Sequence, residues 1–428
     1  MTKQISEAVD QRIKSGINQR YKSESRFKVY GMISITIGVI FLIWLLGTTI
    51  GKASSAFQQT YVSLDVEIPE DFNDGDHSPE ALQKARYGKL VKTALTTAFP
   101  DVKKRKDKKA LYKLVSGGAE YSIRDIVVAE PERIGKTTKF WVLADDEVDM
   151  LLKGKIDRNL PESERRLNDL SISWIDQLQS AGQIEKRFNW VFFSAGDSRD
   201  AEQSGIWGAM MGSIFTIMVT MLLALPIGVA AAIYLEEFAP KNKWTDLVEV
   251  NINNLAAVPS IIFGLLGLAI LINYFGLPRS VPLVGGMVLA LMTLPTIIIS
   301  SRAALAAVPP SIREAALGVG ASGMQTVLHH VLPLALPGIL TGSIIGLARA
   351  LGETAPLLVI GMVAFIVDIP GGPSDPATAL PVQIYLWADS PERAFVERTS
   401  AAILVLLTIL IAINGLIALL RSKMEKRW

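Results

Sequence analysis

The feature that most constrains this chain is a set of long apolar runs without a charged side chain. Five of them lie at 29–51, 203–235, 250–278, 280–301 and 399–420, and a sixth, 315–367, is interrupted only by Arg349 and Glu353. A helix needs about 20 apolar residues to cross a bilayer, because the hydrocarbon offers no water to backbone polar groups. The runs predict six transmembrane helices, at 29–50, 205–235, 255–276, 281–301, 334–366 and 399–420.

The charged residues are segregated rather than spread along the chain. The sequence has 43 basic and 41 acidic side chains, and 50 of these 84 lie between Lys52 and Glu202. That segment is long enough to bury a core of its own. Its patterns predict strands at 122–128 and 138–143 and helices at 81–98 and 168–181. In the last of these helices we expect a core-facing stripe of Leu170, Trp174 and Leu178, with Ile175 beside it.

The composition excludes several classes of site. The absence of cysteine rules out disulfides, iron–sulfur clusters and thiolate chemistry, and the three histidines are too few to make a metal site probable. A net charge of +2 argues against a nucleic-acid binder. The basic run at 103–109 is interpreted as a solvated face.

Lysines and arginines near the span ends set the expected orientation. Seven precede the first predicted helix and four follow the last, which places both termini in the cytoplasm and 51–204 outside. The first helix is interpreted as an anchor, because its basic leader and apolar run are too long for a cleaved signal peptide. We therefore predict a cytoplasmic tail (1–28), an anchor (29–50), an external α/β domain (51–204) and a helical core (205–428). The fold class is an all-α polytopic membrane protein with an inserted α/β domain.

The most informative motif is SIREAALGVGASGMQTVLHHVLP at 311–333, between the fourth and fifth predicted spans. Pro309 and Pro310 break the chain after the fourth helix, and Ser311 with Glu314 has the spacing of a capping box. We expect a short cytoplasmic helix with a small apolar surface, a bend at the glycines, and a new span from Pro333. Such a helix can dock into a groove of another protein. A plain re-entry turn is the alternative.

Two charges interrupt the fifth predicted span. An unpaired charge is expensive inside a membrane and normally pairs or faces a cavity. Arg349 and Glu353 are four residues apart, so on a helix they share one face and partly neutralise each other. A guanidinium offers forked donors that match the oxygens of an oxyanion. Either the pair lies on a substrate pathway, or it is a structural ion pair between helices.

The loop motif also carries a family resemblance. Glu314-Ala315-Ala316, Gly320 and Leu332-Pro333 resemble the EAA loop of importer-type (MetI-like) ABC permeases, the cytoplasmic helix that receives force from the ATPase subunit. His330 departs from the pattern, where the family usually has an aliphatic residue. RALGETAPLL (349–358), YLEEFAPKN (234–242) and VPSIIFGLLGL (258–268) resemble PstA-type permeases of phosphate importers. The resemblance covers about residues 186–428, and the N-terminal extension is similar to one found in some members only.

This resemblance implies a type I importer permease core, and a transport subunit of the cell inner membrane rather than an enzyme. The residues that would couple to the ATPase lie in the loop 303–333 and are Glu314, Ala315, Ala316, Gly320, Leu332 and Pro333. The phosphate pathway would involve Arg349, Glu353 and, as a weaker candidate that positive-inside anchoring also explains, Arg302.

The resemblance further implies that this chain binds no cofactor, because ATP and Mg belong to the partner ATPase. The implied partners are a PstC-like second permease, two PstB-like ATPase subunits and a PstS-like external phosphate-binding protein. Two alternatives stay open: the same architecture carrying sulfate, molybdate or another oxyanion, and a membrane receptor.

Overall fold

The computed structural model describes the backbone of residues 2–424 and the side chains of residues 17, 20, 21 and 23–419. It divides into two compact units, Met1–Lys52 and Ala53–Trp428. In the first unit a single helix, α1 (Thr2–Ala53), runs through both the basic tail and the apolar run. The candidate span Ser23–Phe57 buries none of its most apolar stretch within the chain, as expected of a helix surrounded by lipid.

The second unit begins with a small three-stranded antiparallel sheet. Its strands are β1 (Gln58–Glu67), β2 (Thr137–Leu143) and β3 (Ile184–Phe188), in the order β2-β1-β3. The central strand pairs Leu64 with Phe140 on one side and Thr60 with Lys186 on the other. Most of β1 is therefore buried.

Seven helices accompany the sheet: α2 (Pro79–Lys84), α3 (Gly88–Ala98), α4 (Arg105–Tyr112), α5 (Ala119–Ala129), α6 (Asp146–Leu152), α7 (Asp169–Ser180) and α8 (Trp190–Ser194). Residues from the sheet and from these helices share one hydrophobic core, which includes Leu64, Leu95, Ile123, Phe140 and Ile175.

Two local predictions in this segment are wrong, and one is confirmed only in part. The β-branched run at 122–128 belongs to helix α5, because Ile123 and Val127, four residues apart, both face the core. The helix predicted at 81–98 is two helices, α2 and α3. In α7, Trp174, Ile175 and Leu178 are buried as predicted, whereas Leu170 is exposed. The strand at 138–143 and the start of α7 at Asn168, whose Oδ1 accepts from the Ser171 amide, are confirmed.

The rest of the chain is helical. Its helices are α9 (Trp207–Ile233), α10 (Lys243–Ala256), α11 (Ser260–Leu266), α12 (Pro282–Ala306), α13 (Pro310–Gly318), α14 (Gly323–Thr326), α15 (Leu332–Gly352), α16 (Ala355–Val359), α17 (Leu380–Ala388) and α18 (Ala394–Met424). Short π-helical stretches extend α9 to Phe238, extend α11 to Tyr274, and join α14 to α15.

Among the described residues, five helices are long and apolar enough to cross a membrane. Besides Ser23–Phe57 they are Trp207–Phe238, Pro282–Ala306, Gly323–Gly352 and Ala394–Leu419. The third predicted span, 255–276, corresponds to a pair of helices, Lys243–Ala256 and Ser260–Tyr274, bent by 103°. Six spans result only if this bent pair counts as one.

Close backbone approaches hold α9 and α15 against α12. A Cβ on Gly286 of α12 would lie 2.5 Å from the Cβ of Val219, and Gly342 of α15 packs directly on Ser300. Small residues at such crossings let helices pack tightly in lipid, where burial of apolar surface gives no driving force.

The fifth predicted span, 334–366, is wrong at its C-terminal end. Helix α15 stops at Gly352, and Glu353 is its C-cap with extended backbone angles. Pro356 explains the break, because a continued helix would leave the Gly352 carbonyl without its amide partner and in conflict with the proline ring. The chain then forms the short helix α16.

Candidate functional site

The break in α15 lies deep among the helices rather than at a free end. Gly346 faces Ile297 and Thr293 of α12, one turn beyond the contact of Gly342 with Ser300. This antiparallel register brings Arg349, a further turn along, level with the central part of α12. After the break, Pro356 packs on Gly264 of α11, so α16 remains enclosed by neighbouring helices. The break is therefore a discontinuous helix that is enclosed by the apolar helices α11 and α12.

The charged pair at this break is confirmed, but its setting differs from the prediction. Arg349 Nε lies 3.6 Å from Glu353 Oε1, with 43% of the arginine side chain and 20% of the glutamate side chain exposed. Glu353 caps the helix and is not part of it. Within residues 23–419, neither side chain has another salt bridge. A half-exposed guanidinium with one long contact keeps most of its five N–H donors available to a ligand.

The loop motif forms a short helix, as predicted, but this helix begins at a different residue and with a different cap. Helix α13 begins at Pro310 with Pro309 as its N-cap, so the capping box of Ser311 and Glu314 does not form. Proline replaces the cap because its fixed φ suits the first helical turn, where its missing N–H costs nothing. Gly320 has φ +88°, which confirms the predicted bend.

One face of α13 is free and the other is packed. Glu314, Ala315 and Leu317 are exposed, whereas Ala316 is buried. The predicted small apolar surface therefore consists of Ala315 and Leu317 only, because Ala316 points inward. At the far end of the loop, Leu332 is half-buried and Pro333 is exposed in the first turn of α15.

Arg313 fastens α13 to the rest of the core. Its guanidinium donates to both carboxylate oxygens of Glu237, at 3.1 and 2.6 Å, and to the carbonyls of Leu305 and Val308 at the end of α12. The hydrogen bonds with Glu237 raise the pKa of Arg313 above its ordinary value. Sequence reasoning missed Glu237, although an acidic pair at the end of an apolar helix is a signal of a buried ionic contact.

Arg302, the weaker candidate for the pathway, is already paired. Its Nε lies 3.3 Å from Glu236 Oε2, and an Nη donates to Glu249 Oε1 at 2.8 Å. It links α12 to the end of α9 and to α10. The residues predicted for the pathway are thus not brought together: Arg349 and Glu353 lie at the break of α15, level with the central part of α12, and Arg302 lies near the C-terminal end of α12.

A second group of charges joins α18 to the segment that runs from β1 to α8 (residues 58–194), called the sheet-containing segment below. Lys153 Nζ contacts Asp149 Oδ2 at 2.6 Å and Glu397 Oε1 at 2.7 Å, and these three side chains are at most 7% exposed. The adjacent Arg398 is buried and donates to the Ser204 carbonyl. Sequence reasoning missed this junction, because nothing in the sequence shows that positions 153 and 397 meet.

Two carboxyl groups near this junction are perturbed by burial. Desolvation raises the pKa of Glu202 to about 7, and desolvation together with the nearby Asp146 raises that of Asp145 to about 8. The Ser116 hydroxyl donates to Glu202 Oε1 at 2.5 Å. No group of three or more histidines or carboxylates among the described residues is arranged to hold a metal ion.

Two family models match the sequence. Residues 224–426 match "Binding-protein-dependent transport system inner membrane component", and residues 14–162 match a domain of unknown function, DUF3333. The first match contains α13 and the break of α15, and the second contains β1, β2 and helices α2 to α6.

Curated proteins are similar over the C-terminal part. The "Phosphate transport system permease protein PstA" of Mycobacterium leprae is 31% identical over 229 residues, which cover 53% of this chain and 74% of that protein. PstA of Haemophilus influenzae is 32% identical over 190 residues, covering 44% and 66%. The "Probable ABC transporter permease protein YqgI" of Bacillus subtilis is 33% identical over 172 residues, covering 40% of this chain and only 58% of that protein.

Among solved structures, an inward-facing form of the MetNI methionine ABC transporter is similar with a TM-score of 0.41 and 20% identity. The match covers 52% of this chain and 95% of that one.

Proposed function

We propose that this chain, which belongs to the family of binding-protein-dependent transport system inner membrane components, is the permease subunit of an ATP-driven importer of inorganic phosphate. It carries the anion past the break of α15 and makes or breaks no covalent bond. The observation that carries the proposal is Arg349, half-exposed and with free donors at the depth of central α12. The names of the relatives in Mycobacterium leprae and Haemophilus influenzae support phosphate as the substrate.

The chemistry at the break suits a passing anion. The guanidinium of Arg349 can bind two phosphate oxygens through parallel N–H donors. Glu353, 3.6 Å away, competes for the same cation and repels the anion, which keeps the hold weak enough for release. The C-terminus of α15 adds negative potential of its own, so the arginine is the attractive element. Arg302 plays no part in this pathway, because Glu236 and Glu249 already neutralise it.

Helix α13 is the proposed receiver of force from a cytoplasmic ATPase. Its exposed face, with Glu314 and Ala315, docks into the partner, and Gly320 provides the turn back to the core. The four hydrogen bonds of Arg313 then pass the movement to the end of α12 and to Glu237. Because α12 packs on both α9 and α15, a shift of α13 reaches the break directly.

The proposed assembly follows from these roles. A PstC-like permease forms the other half of the pathway, two PstB-like ATPases bind ATP and Mg, and a PstS-like protein delivers phosphate from outside. The chain lies in the cell inner membrane with both termini in the cytoplasm. Residues 51–204 then form an external domain, and the buried Lys153 bridge makes that domain move together with α18.

Uptake of labelled phosphate by proteoliposomes that contain the whole complex tests the proposal. We expect ATP-dependent uptake that excess unlabelled phosphate abolishes and equimolar sulfate or molybdate leaves unchanged. Glu314→Lys should reduce uptake at least about tenfold, because it reverses the charge on the docking face. Asp246→Lys, the same reversal at an exposed site in the first turn of α10, is the control. Equal competition by sulfate, or unchanged uptake by Glu314→Lys, would contradict the proposal.

A further inference from the structure

A cavity of about 620 Å³ opens in the sheet-containing segment between the corner joining α2 to α3 and one face of α5. Five cationic side chains line it: Lys84, Arg86, Lys89, Lys92 and Arg124. Glu120 is the one carboxylate among its lining residues. An adjoining cavity of about 320 Å³ shares Gly88, Lys92 and Glu120 and adds one cation, Lys113, and one carboxyl group, Asp145.

Four of the five cations around this cavity have no salt bridge with a described side chain. Arg124 is bound by Asp125, at 2.9 and 3.0 Å. The other four are Lys84, Arg86, Lys89 and Lys92. The surrounding stretch from Lys84 to Arg124 contains 12 basic and 3 acidic residues. Like charges held around a concavity raise the local potential, and an external anion would lower it.

The position of Glu120 shows where an anion can sit. Its Oε2 occupies the space that a Cβ on Gly88 would need, so the carboxylate rests against the first residue of α3. The N-cap of that helix, Tyr87, provides no side-chain cap. The carboxylate therefore occupies a position that favours negative charge, between an uncapped helix start and the lining cations.

We propose that this cavity is a binding site for phosphate groups that carry two or more negative charges. Arg86 supplies a forked pair of donors, and Lys89 and Lys92 supply point charges. A concave site of this size suits a small or chain-like anion better than a flat protein surface. The bound phosphate group either displaces the Glu120 carboxylate or binds beside it. In both cases the negative charge of Glu120 lowers the affinity for the anion.

The external location of this site rests on the proposed orientation of the chain, whereas the binding itself does not. Free orthophosphate, a polyphosphate chain and a phosphorylated lipid headgroup all present the required group. Direct binding to the purified full chain separates the site from transport, because Arg349→Ala should leave the cavity untouched.

Calorimetric titration of the detergent-purified chain with orthophosphate and with tripolyphosphate, and flotation with phosphatidic acid or phosphatidylcholine vesicles, tests the site. The variant Arg86→Glu/Lys89→Glu should bind at least about tenfold more weakly. The matched control, Arg105→Glu/Lys106→Glu, changes the net charge equally at exposed positions of α4 outside the cavity and should change affinity less than about twofold.

The site is supported if any one probe binds and its binding is weakened by Arg86→Glu/Lys89→Glu but not by Arg105→Glu/Lys106→Glu. The probe that binds then shows whether the ligand is free phosphate, a polyphosphate chain or a lipid headgroup. Equal weakening by both variants would overturn it, since a diffuse field would then explain binding. No binding of any probe, or tighter binding of an acidic heptapeptide than of tripolyphosphate, would also overturn it. If the double reversal fails to fold, Arg86→Gln/Lys89→Gln is used in its place, and Glu120→Gln should tighten binding about threefold or more.

Discussion

Two groups of charges beside the membrane helices have opposite environments. At the junction with α18, Lys153 is buried and held at 2.6 and 2.7 Å by Asp149 and Glu397. At the break of α15, Arg349 is 43% exposed and its one carboxylate contact is 3.6 Å long. Both groups consist of the same chemical types, so the difference lies in what surrounds them.

The difference in exposure distinguishes a contact that stabilises the fold from one that is available to a ligand. The free-energy cost of removing two charges from water is offset only if the charges are in close contact. Loss of one partner of a buried pair therefore leaves an uncompensated buried charge. A half-exposed, loosely paired charge contributes little to stability and can exchange its partner for a ligand. The Lys153 junction therefore holds the segment that contains the sheet on α18, whereas the Arg349 pair suits the proposed contact with the substrate.

The largest effect on stability is expected from Lys153→Met. It leaves Asp149 and Glu397 buried without their cation and should lower the free energy of unfolding by about 3–5 kcal/mol. Urea titration in detergent, followed by tryptophan fluorescence, measures the loss.

Lys155→Met, at an exposed lysine two residues away, is the control and should change stability by less than about 0.5 kcal/mol. Adding Glu397→Gln to Lys153→Met should recover part of the loss. Equal, small effects of both single variants would mean that the junction is not a structural contact.

A smaller effect is expected where α13 contacts the extension of α9. Glu237→Gln keeps the shape of the side chain but removes the charge that pairs with Arg313, which should cost about 1–3 kcal/mol. In the proposed complex, the ATPase activity should then respond less to the binding protein, because the Arg313 contact that fixes α13 to the extension of α9 is weakened. Unchanged stimulation with normal assembly would exclude Glu237 from the coupling route.

A dependence of stability on pH, which is visible without any substitution, is expected from Glu202. Its pKa is raised to about 7 in the folded chain from an ordinary value of 4.5, so between these values the folded state holds a proton that the unfolded state has lost. Stability should therefore fall as pH rises from about 5 to 7, by at most about 1.4 kcal/mol per pH unit for this proton. Asp145, shifted in the same direction, extends the fall towards pH 8.

Glu202→Gln should flatten this dependence, measured as the urea midpoint at pH 5.5 and pH 8. Glu67→Gln, at an exposed glutamate of β1, should retain it. An identical pH dependence in both variants would show that another group is responsible.

The sequence predicted what depends on local pattern. Hydrophobic length located the spans at 205–235, 281–301 and 399–420, and the prolines and Gly320 located the loop helix and its bend. Long-range contacts were not predictable: Lys153 meets Glu397 across 244 positions, and Arg313 meets Glu237 across 76. The end of α15 was missed because an apolar run shows hydrophobic length but not backbone continuity, although Pro356 marked the break.

The most direct test of the central claim compares Arg349→Ala with Arg393→Ala, at an exposed arginine just before α18. Phosphate uptake and the urea midpoint are measured on the same assembled complex. The account predicts that Arg349→Ala lowers uptake at least about tenfold while its stability changes by less than about 1 kcal/mol, and that Arg393→Ala leaves both unchanged. Normal uptake by Arg349→Ala, or a loss of stability as large as that of Lys153→Met, would contradict it.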